Sequence, residues 1–153
     1  MSLRVGIGYD SHRFEAGRPL ILGGVEIPHE RGLGGHSDAD VVTHAIIDAL
    51  LGATGAGDIG DHFPPSDERW RDADSIVLLE EVLAALGGVP VNVDVTIVCE
   101  EPKLGAHKRA IATRIGAVIG VPVSVKATTN EGMGAVGRGE GIAVTAVALV
   151  DAD

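Results

Sequence analysis

The sequence predicts one α/β (α+β) domain, a single-domain sandwich with helices packed on one face of a mixed sheet. Three observations predict it. Residues 91–98 read Val-Asn-Val-Asp-Val-Thr-Ile-Val, the strict alternation of a half-buried strand. Between residues 38 and 51, Val41, Val42, Ala45, Ile46, Ala49 and Leu50 recur at helical spacing. Segments of both kinds then alternate along 153 residues without a repeat, low-complexity tract or linker, so residues 1–153 are expected to form one domain.

In chain order, residues 4–8 alternate as a strand, and the runs 20–22 and 25–27 form two short strands around Gly23-Gly24. The helix over 38–51 has Ser37 and Asp38 as candidate caps and Gly52 as its stop. A second helix is expected over 75–86, led in by Asp74 and closed by Gly87-Gly88. In the strand that follows, Val91, Val93, Val95 and Ile97 should share one buried face. Helical spacing returns over 106–119 with Gly120 as terminator, and strand character resumes at 123–126 and 142–150. Hydrophobic residues make up 45% of the chain but aromatic ones only 3%, so the core must be aliphatic.

Charge excludes some functions and suggests another. With 12 basic against 22 acidic residues, the net charge of -10 has the wrong sign for a nucleic-acid backbone. An acidic chain that handles an anionic substrate must concentrate positive charge locally, and a bound metal does so compactly. Cys99, the only cysteine, rules out an intrachain disulfide and reads as a small buried hydrophobe. The first residues lead directly into a strand without a long apolar stretch, so no membrane partner and a cytoplasmic location are expected.

Asp10 and His12 lie two apart just after the first expected strand, where strand geometry sends both side chains to one face. A carboxylate and an imidazole suit zinc, whose catalytic sites typically use three protein ligands. The third candidate is His44, with Asp40 and Asp48 four residues to either side on the same helical stripe and placed to orient its ring. Turn capping by Asp10 and a satisfied core histidine at His44 are the competing readings. His36 and Ser37 stand at the helix N-terminus, where free amides favour a phosphate or serve only as a capped start. The run from Asp58 through Pro65 reads as a turn, with His62 as a possible extra ligand. Gly132, Gly134 and Gly137 match a dinucleotide fingerprint by letter, but a strand rather than a helix follows. What remains there is a glycine- and hydroxyl-rich loop near Lys126 and Arg138, suited to phosphate oxygens. No nucleotide-binding G-x-x-x-x-G-K-[ST] and no G-x-S-x-G nucleophile elbow occurs.

Five ordered motifs carry a resemblance nearly end to end: Gly8-Tyr9-Asp10-Ser11-His12, His36-Ser37-Asp38-Ala39-Asp40 with His44, Asp58-Ile59-Gly60 with Phe63-Pro64, Glu101-Pro102-Lys103, and Lys126-Ala127-Thr128-Thr129 through Gly141. The chain resembles the 2-C-methyl-D-erythritol 2,4-cyclodiphosphate synthases of the non-mevalonate isoprenoid pathway. The resemblance implies a lyase that converts 4-diphosphocytidyl-2-C-methyl-D-erythritol 2-phosphate to the cyclic diphosphate with release of CMP. It implies Zn2+ on Asp10, His12 and His44, and Mg2+ or Mn2+ held with help from Glu131. His36 and Thr129 match positions of transition-state stabilisation, and Ser11 and Ser37 flank the substrate. Cytidine and its phosphates would lie against Cys99, Glu100, Glu101, Pro102, Lys103, Leu104, Gly105, Thr128, Thr129 and Asn130. Asp58, Ile59, Gly60, Phe63, Pro64, Pro65, Ser66 and Asp67 would cover the erythritol end. The resemblance further implies a homotrimer with active sites between subunits, the position of Ala135 lining its central cavity and Arg138 among the substrate contacts. Ala135 stands where an aromatic residue is frequent, and Asn130, Gly105 and His62 also depart from the family pattern. Read without the resemblance, the same residues leave open a zinc-dependent phosphohydrolase or a noncatalytic metal- or nucleotide-binding module.

Overall fold

The computed structural model describes residues 1–152. The strands are β1 Leu3–Ala16, β2 Leu20–Leu22, β3 Val25–Ile27, β4 Arg31–Leu33, β5 Val89–Val98, β6 Val123–Thr128 and β7 Gly141–Asp151. The helices are α1 Val41–Thr54, α2 Ile59–His62, α3 Ser75–Ala85, α4 Lys108–Ile119 and α5 Gly134–Gly137, with a single 3-10 turn at Glu68–Trp70. Five strands form one mixed sheet in the order β4-β1-β7-β5-β6. Among the described residues only β5 and β6 pair in parallel, joined by the α4 crossover; the other ladders are antiparallel. β2 and β3 form a separate hairpin turning at Gly23 and Gly24, both with positive φ. Helices α1 and α4 pack on the sheet and α3 packs against both of them, the helix-on-sheet sandwich that the sequence predicts.

β1 is the longest strand and extends well beyond residue 8, where its apolar alternation stops. Its register with β7 runs unbroken from Leu3↔Asp151 to Arg13↔Gly141, so pairing with a strongly apolar neighbour carries the polar segment along. Asp10 and His12 therefore lie inside the strand and not after it. Even-numbered residues of β1 face α1. A Cβ on Gly6 would stand 1.9 Å from the Ala49 carbonyl oxygen, and one on Gly8 1.9 Å from that of Ala45. Glycine at both positions lets the helix backbone rest directly on the strand. The odd-numbered residues point the other way, leaving Val5 and Ile7 69% and Tyr9 63% exposed on the open face.

Several boundaries differ from expectation. The N-cap of α1 is Asp40, whose side chain accepts from Thr43 N, and not Ser37 or Asp38. Ser37 and Ala39 both have φ of 56°, which is incompatible with a helix already begun. The helix passes Gly52 because Leu51 and Ala53 remain buried, and it stops at Gly55 in the left-handed conformation. α3 starts at the expected Asp74 cap but turns extended at Leu86, before the glycine pair. A register shift between Pro90 and Asn92 leaves Val91 40% exposed, while Val93, Val95 and Ile97 are buried as expected. β4, the short helices α2 and α5 and the 3-10 turn at Glu68–Trp70 carry too few residues to show a period.

Candidate metal centre and active-site pocket

Strand β1 presents Asp10 and His12 to the helix side, and the contact at Gly8 brings the first turns of α1 down onto them. His44, one residue before Ala45, completes a cluster of three. His12 Nε2 lies 2.9 Å and His44 Nδ1 3.2 Å from Asp10 Oδ2. The two ring nitrogens are 3.4 Å apart. Donors about 2.0 Å from a tetrahedral zinc ion lie about 3.3 Å from one another, so the three atoms fit a common divalent ion. Burial would raise the Asp10 pKa, but hydrogen bonds from His12 and His44 outweigh it and hold the carboxyl well below its ordinary value. Burial likewise disfavours a charged His44, yet Asp10 and the negative charges of Asp40 and Asp38 pull its pKa upward. The surrounding field thus favours a cation.

The expected carboxylate partners of His44 are elsewhere. Asp40 is fully buried and accepts from Gly23 N and Gly24 N, each at 2.8 Å, and from Thr43 Oγ1 at 2.8 Å, fastening the β2–β3 turn to the start of α1. Asp48 accepts from Ile59 N at 2.7 Å and anchors α2. Burial raises the pKa of both. The outer nitrogen of His44, Nε2, instead lies 2.8 Å from Ser75 Oγ and 3.0 Å from Ser37 Oγ. Ser75 gave no signal in sequence beyond following a capping aspartate; its role depends on how α3 docks on α1.

The cluster opens into a pocket whose walls include His36, Ser37, Ile59, Gly60, Phe63 and Pro65. Trp70 and Leu78 also line it, and Trp70 stacks edge-on against Phe63 at 4.9 Å. Neither was anticipated, since both are separated in sequence from the motifs. Asp58 and Asp61 form a reciprocal capping box at α2, and Asp67 pairs with Arg69 at 2.7 Å, both at the edge of this region near Pro64 and Ser66. His62 turns away from the cluster and contacts the Ala56 carbonyl oxygen at 2.8 Å.

A second depression contains Cys99, Lys103, Leu104, Gly105, Thr128 and Thr129. Glu100 organises its rim by accepting from Asn130 N at 2.7 Å and Gly132 N at 3.3 Å. Glu131 lies in that turn with φ of 54°, its amide donating to Thr129 Oγ1 at 3.2 Å. Lys103 Nζ donates to the Glu100 carbonyl oxygen at 3.1 Å and approaches Glu101 at 3.5 Å, beside Pro102. Burial, followed by the charges of Glu101 and Glu100, pushes the Cys99 thiol up to about 11, so it is protonated at neutral pH and no nucleophile. Lys126 pairs with Asp94 on the adjacent strand. A third depression, on the open side of β1, takes in Ser11 and Ala135; Ser11 points away from Asp10 and His12 by the period of two. Arg138 there pairs with Glu140 at 2.7 Å. A single chain therefore joins the metal cluster to His36 and the 58–65 loop, and holds Lys103 and Thr129 in a depression of their own.

A mixed sheet that delivers a carboxylate and two imidazoles to the floor of one pocket is the framework of a metal-dependent α/β enzyme. The YgbB family model matches residues 3–151, and the chain belongs to this family. It is 60% identical over 152 residues to the 2-C-methyl-D-erythritol 2,4-cyclodiphosphate synthase of Symbiobacterium thermophilum, covering 95% of this chain and 97% of that protein. A solved synthase with CDP bound superimposes with a TM-score of 0.87 at 38% identity, over 97% of this chain and 100% of the other. The bifunctional IspDF of Campylobacter jejuni gives a TM-score of 0.94 at 37% identity, covering 99% of this chain, which spans 43% of that longer protein.

Proposed function

We propose that this chain, as one functional domain over residues 1–153, converts 4-diphosphocytidyl-2-C-methyl-D-erythritol 2-phosphate to 2-C-methyl-D-erythritol 2,4-cyclodiphosphate and CMP. The observation that carries this reading is the convergence of Asp10, His12 and His44 at the floor of a pocket in a chain of this family. In the reaction the 2-phosphate oxygen attacks the β-phosphorus and the bond to the CMP oxygen breaks, so neither water nor a protein nucleophile enters. Zn2+ on the three ligands would supply positive charge that orients and polarises the β-phosphate, with Mg2+ or Mn2+ near Glu131 on the diphosphate. His36 and Thr129 aim donors at the phosphoryl oxygens, where charge grows during displacement. The Phe63 and Pro65 wall, with Ile59 and Gly60, shields the erythritol end, while Lys103, Gly105 and Thr128 hold the cytidine end.

The working form is a homotrimer, and the protein acts in the cytoplasm. Two features support assembly: metal cluster and cytidine depression are separate within a chain, and β1 leaves Leu3, Val5, Ile7 and Tyr9 on an open apolar face. Mixing inactive His12→Ala and Lys103→Ala chains should restore part of the activity, because some interfaces would combine an intact cluster with an intact Lys103. Absence of recovery after demonstrated subunit exchange would sink the shared-site reading.

Product analysis tests the reaction itself. Incubation with the diphosphocytidyl substrate, zinc and magnesium should yield cyclic diphosphate and CMP in equal amounts. Linear phosphates would identify a phosphohydrolase, and nucleotide binding without turnover would identify a noncatalytic module.

A further inference from the structure

We propose that Asp38 and Ser75 form a part-buried relay that selects the tautomer of His44, making Ser75 a positioning residue for the metal ion. The inference rests on the reading that Asp10, His12 and His44 hold a divalent cation. Ser75 is fully buried and is the first residue of α3. Its backbone N–H donates to Asp38 Oδ2 at 3.1 Å, and its hydroxyl donates to Asp38 Oδ1. Asp38 Oδ1 also accepts from Asp40 N at 3.1 Å, and Asp38 N donates to the Ala73 carbonyl oxygen at 3.0 Å. Residues 38 and 73–75 are thus fastened by main chain and side chain together. The left-handed residues Ser37 and Ala39, each with φ of 56°, bracket Asp38 and set the local path of the chain.

Proton counting then gives direction to the chain of contacts. A hydroxyl has one hydrogen, and a carboxylate can only accept. With its hydrogen committed to Asp38, Ser75 Oγ must accept from His44 Nε2, 2.8 Å away. Nε2 therefore carries a ring proton, and the proton that Nδ1 directs at Asp10 is the one a bound cation would displace, leaving the Nδ1 lone pair for the ion on the side of Asp10 and His12. Ser37 Oγ also lies within reach of Nε2, at 3.0 Å, but no hydrogen bond ties it to Asp38. Its hydroxyl remains free to donate or accept and imposes no tautomer. The two buried serines are nearly equivalent by distance and differ in what stands behind them.

That difference provides the test. Zinc affinity of wild type, Ser75→Ala and Ser37→Ala would be measured by competition with a chromophoric chelator, and the ligand field by the visible spectrum of the cobalt(II) forms. Ser75→Ala should weaken zinc by about 10- to 100-fold and alter the cobalt bands, whereas Ser37→Ala should change affinity by less than about threefold. Asp38→Asn probes the other end: its amide can donate to Ser75 Oγ, freeing the hydroxyl hydrogen to turn toward Nε2, and zinc affinity should again fall by about tenfold or more. Equal losses in the two serine variants would reduce the relay to ordinary loss of a buried hydroxyl and overturn it. So would unchanged affinity in Ser75→Ala or Asp38→Asn. Wild type that takes up no stoichiometric zinc would overturn the metal reading itself, an outcome distinct from wild-type binding that the relay variants fail to disturb.

Discussion

Replacing His44 with alanine should abolish stoichiometric zinc binding and reduce turnover by about 10³-fold or more, while the far-ultraviolet circular dichroism remains that of the folded chain. The first part follows from ligand number. Asp10 and His12 alone offer two donors where a catalytic zinc typically takes three. Charge stabilisation by a metal is worth several kcal/mol in the transition state, and about 4 kcal/mol corresponds to about 10³ in rate. The fold should survive for a local reason. The serines that His44 leaves behind are 3.3 Å from each other, and Ser75 retains Asp38, so no buried hydroxyl is stranded. Alanine is also a strong helix former at this interior position of α1. Elemental analysis of the purified variant decides the matter: an undiminished zinc content would remove His44 from the ligand set.

Gly8→Ala should destabilise the chain by about 3 kcal/mol or more and weaken zinc binding together with it. The added Cβ would stand 1.9 Å from Ala45 O and 2.8 Å from Ala49 N, both backbone atoms that no rotamer change can remove. Either β1 or α1 must retreat. Ala45 follows His44 directly, so retreat of the helix draws the imidazole away from Asp10 and His12. Chemical denaturation and chelator competition on the same preparation would measure the two effects. Zinc affinity equal to wild type in a destabilised variant would show that the close approach supports the core alone and does not set the ligand geometry.

Periodicity exposed much of the frame because it reports burial, and burial is local in a regular element. The alternation from Val93 to Ile97 and the apolar stripe of α1 are cases where each residue's neighbours are dictated by its own strand or helix. The three metal-ligand candidates were legible for a similar reason: residue type limited them to few positions, and the family motifs singled these out. Hydrogen-bond partners were harder to read. Asp40 and Asp48 share a stripe with His44, but one side chain is claimed by the amides of a distant hairpin turn and the other by the start of α2. Ser75 reaches His44 only because α3 docks there, a fact of tertiary packing that no spacing encodes. Val91 failed its alternation at a bulge, and β1 outran its apolar run because β7 paired with it. In each case a partner remote in sequence overrode the local preference.

Strand β1 is read from both sides. On one side it presents Gly6, Gly8, Asp10 and His12 to α1; on the other it displays Val5, Ile7 and Tyr9. Loss of a single residue between Gly8 and Asp10 would invert the orientation of everything on one side of the deletion relative to the other. Chemistry and outward surface would trade places along the same segment. The spelling of this stretch is therefore constrained like a two-sided message, in which substitutions can be accommodated one letter at a time but a shift of frame cannot.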